Sequence, residues 1–288
     1  MNVWWWLAGG GLLTAAVVVA RRRAGPPPGP GPGPAGGGGI VDAAIVNFRP
    51  ADTLGSQYLS PEVLRALQEV SHGAVRPRVM MQTTTPTLPD GWPQQWWNAV
   101  QQGLANIAGL WTLSNYPAWL RRTGVYDQIA AGKVNVICAY GDQRCGFAEY
   151  AFRGASGGDS SGPLLQDAGH FYMVYGFNSE RGLAEALHSI GHSAEARLGR
   201  HIPGPFQAWS GNADFYARFG GAHTGPLPAG VWENFTGVGN VHFPPFADLA
   251  YQYDGPDCAA WGCTHEGFLR WWLGQMPVEW WPIIFGRM

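Results

Sequence analysis

The fold is clearest in residues 171–199, which read FYMVYGFNSERGLAEALHSIGHSAEARLG. The short aromatic and apolar run over 171–177 predicts a strand, because such runs favour buried strands. Asn178 or Ser179 can cap the helix that follows, since both side chains accept hydrogen bonds from the first helical N–H groups. We expect this helix to end at Gly199, a residue type that favours helix C-termini.

Further strands and helices alternate on the N-terminal side of this stretch. Short apolar runs predict strands at 41–48, 78–83 and 134–140, and an edge strand beside the third at 146–152. Capping residues and amphipathic spacing predict helices that start at Ser60 and cover 96–108 and 118–131. Residues 201–288 are rich in Gly, Pro and aromatic residues, with a last helix near 265–273. The pattern predicts an α/β (α+β) fold, with a mixed sheet and helices over 40–200 and an irregular C-terminal half over 201–288.

The composition excludes several classes of protein. The chain has 288 residues and a formal net charge of -2, which argues against a basic nucleic-acid-binding protein, so we expect no nucleic-acid partner. Hydrophobic residues make up 46% of it, including 15 Trp, which excludes wholesale disorder. We expect residues 40–288 to form a globular body, long enough for one large domain or two small ones.

The N-terminal residues predict a membrane segment followed by a linker. Residues 3–20 carry no charged side chain, and as a helix they would be about 27 Å long, close to the thickness of a bilayer core. The segment lacks a positively charged start and an obvious cleavage site, which favours a single-span membrane anchor over a cleaved secretory signal. Residues 1–23 are therefore assigned to the anchor or signal, and 24–39 to a Pro/Gly-rich linker.

Two features disagree about which side of the membrane the body occupies. The positive-inside rule would keep the body cytoplasmic, because three arginines follow the span. These are Arg21, Arg22 and Arg23. The cysteines favour an oxidising compartment, since Cys138 with Cys145 and Cys258 with Cys263 are close enough in sequence to form two local disulfides. We expect an extracytoplasmic body, membrane-anchored or secreted, and the cytoplasmic orientation stays open.

One face of the helix after residue 178 carries residues that can bind metal. Glu185, His188, His192 and Glu195 are spaced by three, four and three residues, which places them on the same face. Imidazoles at i and i+4 can chelate one ion, but one helix rarely supplies a full ligand set. We predict a zinc site formed by His188, His192, Glu195 and His242, with Glu185 and Glu195 as candidate catalytic carboxylates. The alternative is a polar face whose residues only pair with one another.

The motif His188-Ser189-Ile190-Gly191-His192, preceded by strands and helices in alternation, resembles the helix of zincin-fold metallopeptidases. In that family the first histidine is followed by a general-base glutamate, giving HExxH, whereas this chain has HSIGH with Ser189 at that position. The third histidine of metzincins would fall at Leu198. The resemblance implies a zincin-like fold, a zinc cofactor and a peptide substrate, with Glu185 or Glu195 in place of the missing base.

These observations lead to two functional hypotheses. The first is a membrane-tethered zincin-like domain, either a metal-dependent peptidase or hydrolase of peptide or cell-surface substrates, or its non-catalytic relative. The second is a tethered module that binds a glycan or another protein and whose polar helix face is structural. Metal content distinguishes the two.

Overall fold

The structure is a computed structural model in which only part of the chain is described. The described residues are 39–48, 60–91, 98, 102, 114–141, 145–155, 160–178, 181–211, 227, 230–232 and 235–287. The predicted anchor or signal over 1–23, almost all of the linker and most of the helix predicted at 96–108 lie outside these residues. Within the described part, no helix combines the length and apolar character needed to cross a bilayer.

A five-stranded mixed sheet lies at the centre of the described chain, which confirms the mixed α/β class. Its strands are β1 (Gly39–Phe48), β2 (Val75–Thr85), β3 (Val136–Gly141), β4 (Tyr150–Phe152) and β5 (Met173–Asn178). The order across the sheet is β2-β1-β3-β5-β4, and only the pairing of β4 with β5 is antiparallel. Strands β1 and β3 are buried along most of their length, as their apolar sequences require.

Seven α-helices are present among the described residues. They are α1 (Ser60–Val70), α2 (Tyr116–Arg122), α3 (Val125–Ala130), α4 (Leu183–His201), α5 (Pro203–Ser210), α6 (His265–Gly274) and α7 (Trp281–Ile284). Short 3-10 turns cover Cys258–Ala260 and Val278–Trp280. Helix α4 packs against α1, α5, α6, α7 and the β4–β5 edge of the sheet, so it lies at the centre of the helical layer.

The predicted start of α4 is wrong. Asn178 is the last residue of β5, and the helix begins at Leu183 with Gly182 in the N-cap position, so the expected cap at Asn178 or Ser179 is not used.

Two further predictions of helix boundaries are also wrong. The single helix predicted over 118–131 is divided into α2 and α3 by Gly124, whose φ of 74° is a left-handed conformation that glycine adopts at little cost. Helix α4 continues past Gly199 to His201. It ends there because Ile202 precedes Pro203, and a residue before proline is disfavoured in the helical conformation.

The edge strand is shorter than predicted and pairs with β5 rather than β3. Gly176 on β5 explains the position, because a Cβ atom there would collide with Phe147 and with the carbonyl oxygen of Ala148. The outer side of β4 is covered by the chain itself. The Ser161 hydroxyl accepts a hydrogen bond from the Tyr150 N–H at 3.0 Å, and the Tyr150 carbonyl accepts from Ser160 and Ser161.

The sheet separates two apolar cores, and this separation explains why one of the two predicted disulfides is absent. Cys258 and Cys263 form the predicted disulfide. The Cys138–Cys145 disulfide does not form, so that prediction is wrong. Cys138 packs in the core on the α4 side of the sheet, whereas Cys145 packs in the opposite core with Ile137. Successive side chains of a strand point to opposite faces, so close spacing in sequence does not bring these two thiols together.

Candidate metal centre

Three histidines from two distant parts of the chain meet at one point. His188 and His192 lie one turn apart on α4, and His242 comes from the irregular segment that follows α5. The Nε2 atom of His192 lies 3.0 Å from Nε2 of His188 and 3.1 Å from Nε2 of His242. All three rings are largely buried, and their possible ligand atoms lie within 4.8 Å of one another.

This convergence has the dimensions of a metal site. Imidazole nitrogens bound to one tetrahedral zinc at about 2.0–2.1 Å lie roughly 3.3 Å apart, close to the two distances here. Burial first, and then the neighbouring His192 and His242, lower the pKa of His188 to about 2, so its ring is neutral. Neutral imidazole is the form that binds metals. Burial lowers the pKa of His192, but the hydrogen bond and charge of Glu195 and the charge of Glu149 raise it by more, so metal binding to this ring releases a proton. At these distances the three imidazoles can hold a metal ion once that proton has left.

Helix α4 and its glycine determine how closely the two parts of the site approach. The i, i+4 spacing places His188 and His192 on one face of the helix, and Gly191 lies beside them. A Cβ atom at Gly191 would lie only 2.6 Å from Cγ2 of Val241. The glycine thus lets the segment that carries His242 pack directly onto the helix.

The segment around His242 is fixed by hydrogen bonds and belongs to no helix or strand. The Asn240 Oδ1 atom accepts from the N–H groups of His242 and Phe243 at 2.9 and 3.0 Å. The carbonyl oxygen of His242 accepts from the Tyr251 N–H, and that of Gly239 accepts from the indole of the fully buried Trp272. These bonds hold both ends of the histidine backbone.

Glu195 lies behind His192 and connects the two parts of the site. One of its carboxylate oxygens bonds to Nδ1 of His192 at 2.9 Å, and the other accepts from the Val241 N–H at 3.1 Å. Burial raises the pKa of Glu195. The hydrogen bond and charge of His192 and the hydrogen bond from the Val241 N–H lower this pKa by more than burial raises it, so the net shift is downward. A carboxylate in this position fixes the ring so that Nε2 faces the site.

The other predicted carboxylate, Glu185, contacts the start of its own helix and lies near His265. One of its oxygens accepts from the Gly182 N–H at the start of α4, and the other lies 4.0 Å from Nδ1 of His265. Ser189 occupies the position of the HExxH glutamate. Its hydroxyl donates to the carbonyl oxygen of Glu185 and is largely buried.

Three residues near the site are not among the predicted ligands and catalytic carboxylates. Glu149 precedes β4, and its Oε2 lies 3.9 Å from Nε2 of His192. The Tyr251 ring lies 5.1 Å from that of His242, and its backbone is left-handed with φ of 63°. His265 lies 5.7 Å from the His188 ring and stacks on Tyr253. None of them belongs to a motif, and only Tyr251, nine residues after His242, lies near a predicted ligand in sequence.

Comparison with known proteins identifies no family for the chain. No family model matches the chain, and neither the curated proteins nor the solved structures contain a match.

Proposed function

We propose that this protein is a zinc-dependent hydrolase of peptide or related bonds, with His188, His192 and His242 as the zinc ligands. The observation that carries the proposal is the convergence of three Nε2 atoms on one point, with distances of 3.0 and 3.1 Å from His192 to its two neighbours. Imidazole is a suitable ligand for zinc, as it is for copper, iron and nickel. A carboxylate bonded to the second ring nitrogen of a zinc-binding histidine, as Glu195 is to His192, is common in zinc sites.

A site with three protein ligands and an open side favours catalysis over a purely structural role. Structural zinc sites are usually closed by four protein ligands, whereas catalytic sites leave one position for water or substrate. The half-exposed side chains of Glu149 and Tyr251 border the site. A zinc ion in this position supplies a Lewis acid that polarises a carbonyl group and activates water.

The arrangement of elements supports a zincin-like scaffold. The HSIGH motif lies on α4, which directly follows a strand of a mixed sheet, as the resemblance implies. The replacement of the helix glutamate by Ser189 favours a second candidate, a zinc-binding relative without hydrolytic activity. The predicted membrane tether and extracytoplasmic location remain predictions. Cys138 and Cys145 form no disulfide with each other, so only one of the two disulfides that favoured this location is present.

The proposal is tested by metal analysis of the purified full-length chain. We expect about one zinc per chain by inductively coupled plasma mass spectrometry, a melting temperature lowered by a chelator, and its recovery on adding zinc. Zinc-dependent cleavage of fluorescein-labelled casein or of a mixed quenched-fluorescent peptide library distinguishes the hydrolase from the non-catalytic relative. A chain without bound metal, whose melting is unaffected by chelator, would favour the glycan- or protein-binding module instead.

A further inference from the structure

We infer that Glu149 is the proton acceptor of the proposed hydrolysis, in place of the carboxylate that HExxH sequences carry on the helix. The inference rests on the proposed function. It assigns a role to a residue from the edge of the sheet, 39 positions before His188 in the chain.

The carboxylates of α4 are engaged elsewhere. Both oxygens of Glu195 are bonded, one to Nδ1 of His192 and one to the Val241 N–H, and they lie on the side of the His192 ring opposite to Nε2. Glu185 caps the start of its own helix and faces His265. The Ser189 hydroxyl donates to the backbone of the preceding turn, and a hydroxyl is a poor base without a partner.

Glu149, in contrast, lies on the side of His192 that faces the metal centre. Its Oε2 atom is 3.9 Å from Nε2, which is longer than a hydrogen bond and longer than the roughly 3.3 Å between two ligands of one tetrahedral zinc. This separation leaves Glu149 beside the ligand set, at a distance that one water molecule can bridge. The side chain is 42% exposed, so both water and substrate can reach it.

The backbone of Glu149 is held by the sheet. Its carbonyl oxygen accepts from the Gly176 N–H at 3.3 Å, and the next residue, Tyr150, pairs with Tyr175 of β5. The carboxylate therefore extends from a rigid element, as a catalytic group requires.

The step assigned to Glu149 is a proton transfer that balances without a redox partner. A water molecule loses one proton to the Glu149 carboxylate as its oxygen bonds to the substrate carbonyl carbon. When the carbon–nitrogen bond breaks, the leaving nitrogen takes the proton from the Glu149 carboxyl group. The products are a carboxylic acid and an amine, and Glu149 is again ionised.

The test compares Glu149→Gln with Glu279→Gln, an exposed control away from the site, in the full-length chain. The probes are the labelled casein and the quenched peptide library. We expect Glu149→Gln to lower kcat by roughly 10²- to 10⁴-fold, the usual contribution of a general base, with KM changed less than about threefold. The zinc content should remain that of the wild type, and after cobalt substitution the visible absorption spectrum should keep its intensity. The control should match the wild type in every measurement.

Three results would overturn the inference, and each has a different meaning. A Glu149→Gln chain that cleaves the probes at the wild-type rate shows that another group accepts the proton, while the hydrolase proposal survives. Loss of zinc or a changed cobalt spectrum in this variant makes Glu149 a ligand. A wild-type chain that binds zinc but cleaves neither probe removes the hydrolase proposal and the role of Glu149 with it.

Discussion

The two halves of the described chain contribute to the candidate metal centre in different ways. Residues 39–201 form a sheet and a long helix, and they supply His188 and His192 through the regular spacing of α4. Residues 202–287 contain short helices and turns, and they supply His242 from a segment without regular structure. The position of His242 depends on side-chain bonds such as those of Asn240, so regular geometry and individual polar contacts jointly determine one site.

Because of this difference, we expect substitutions of ligands and substitutions of the groups that orient them to weaken metal binding by different amounts. Removal of a ligand eliminates a bond to the metal. Removal of a group that orients a ligand leaves the bond possible but makes its geometry less favourable. The following predictions use zinc affinity as a common scale, from the largest expected effect to the smallest.

Removal of either helix histidine should have the largest effect. His188→Ala and His192→Ala should each weaken zinc binding by more than about 100-fold, the upper range for loss of an outer partner, because a direct ligand is lost. Competition titration with a chromogenic chelator measures the affinity. His170→Ala, at an exposed histidine in the same half, is the control and should bind zinc normally. Wild-type affinity in both site variants would exclude these residues as ligands.

Glu195→Gln tests the connection between the halves. The amide cannot provide a charged partner for Nδ1 of His192, so zinc affinity should fall by roughly 10- to 100-fold. The same titration measures the change, and Glu266→Gln on α6, whose partner is Arg270, is a matched control. An unchanged affinity would mean that the backbone alone orients His192.

Asn240→Ala tests the irregular half alone. The substitution removes the acceptor of the His242 and Phe243 N–H groups, and loss of about one net hydrogen bond corresponds to roughly tenfold weaker zinc binding. Isothermal titration calorimetry of the variant and of Gln275→Ala, on the same half, measures the difference. If both variants bind zinc as the wild type does, the hydrogen bonds around His242 are not what positions it.

Opening the disulfide should affect stability and leave zinc affinity almost unchanged. A loop this short contributes about 2 kcal/mol in the chain-entropy model, so a double substitution, Cys258→Ser with Cys263→Ser, should lower the free energy of unfolding by about that amount. Urea denaturation measures stability, with Ala259→Ser in the same exposed turn as control. A loss of zinc affinity above about threefold would show that this turn also positions His242.

The sequence predicted the parts of the site that depend on local spacing. The i, i+4 rule placed His188 and His192 on one face, and the position of His242 in a loop after the helix indicated a third residue from the other half. The role of the two carboxylates on α4 could not be read in this way, because the direction of Glu195 depends on Val241, 46 residues later.

The order of strands across the sheet could not be predicted from the sequence either. Nothing in the sequence around Glu149 shows that β4 pairs with β5, the pairing that places this residue beside the helix that carries His192. The same reason explains the failed disulfide prediction, since the spacing of Cys138 and Cys145 does not reveal that the sheet passes between them.

The serine hydroxyls beside β4 have a consequence for the behaviour of the protein in concentrated solution. An exposed edge strand is a template on which another chain can pair and start an aggregate. Here the outward N–H and carbonyl of Tyr150 are already bonded to Ser160 and Ser161. The two hydroxyls occupy the hydrogen-bonding groups of Tyr150 that another strand would need. They are side-chain groups and do not form a new strand edge, so they protect this end of the sheet against fibril-like pairing with other chains.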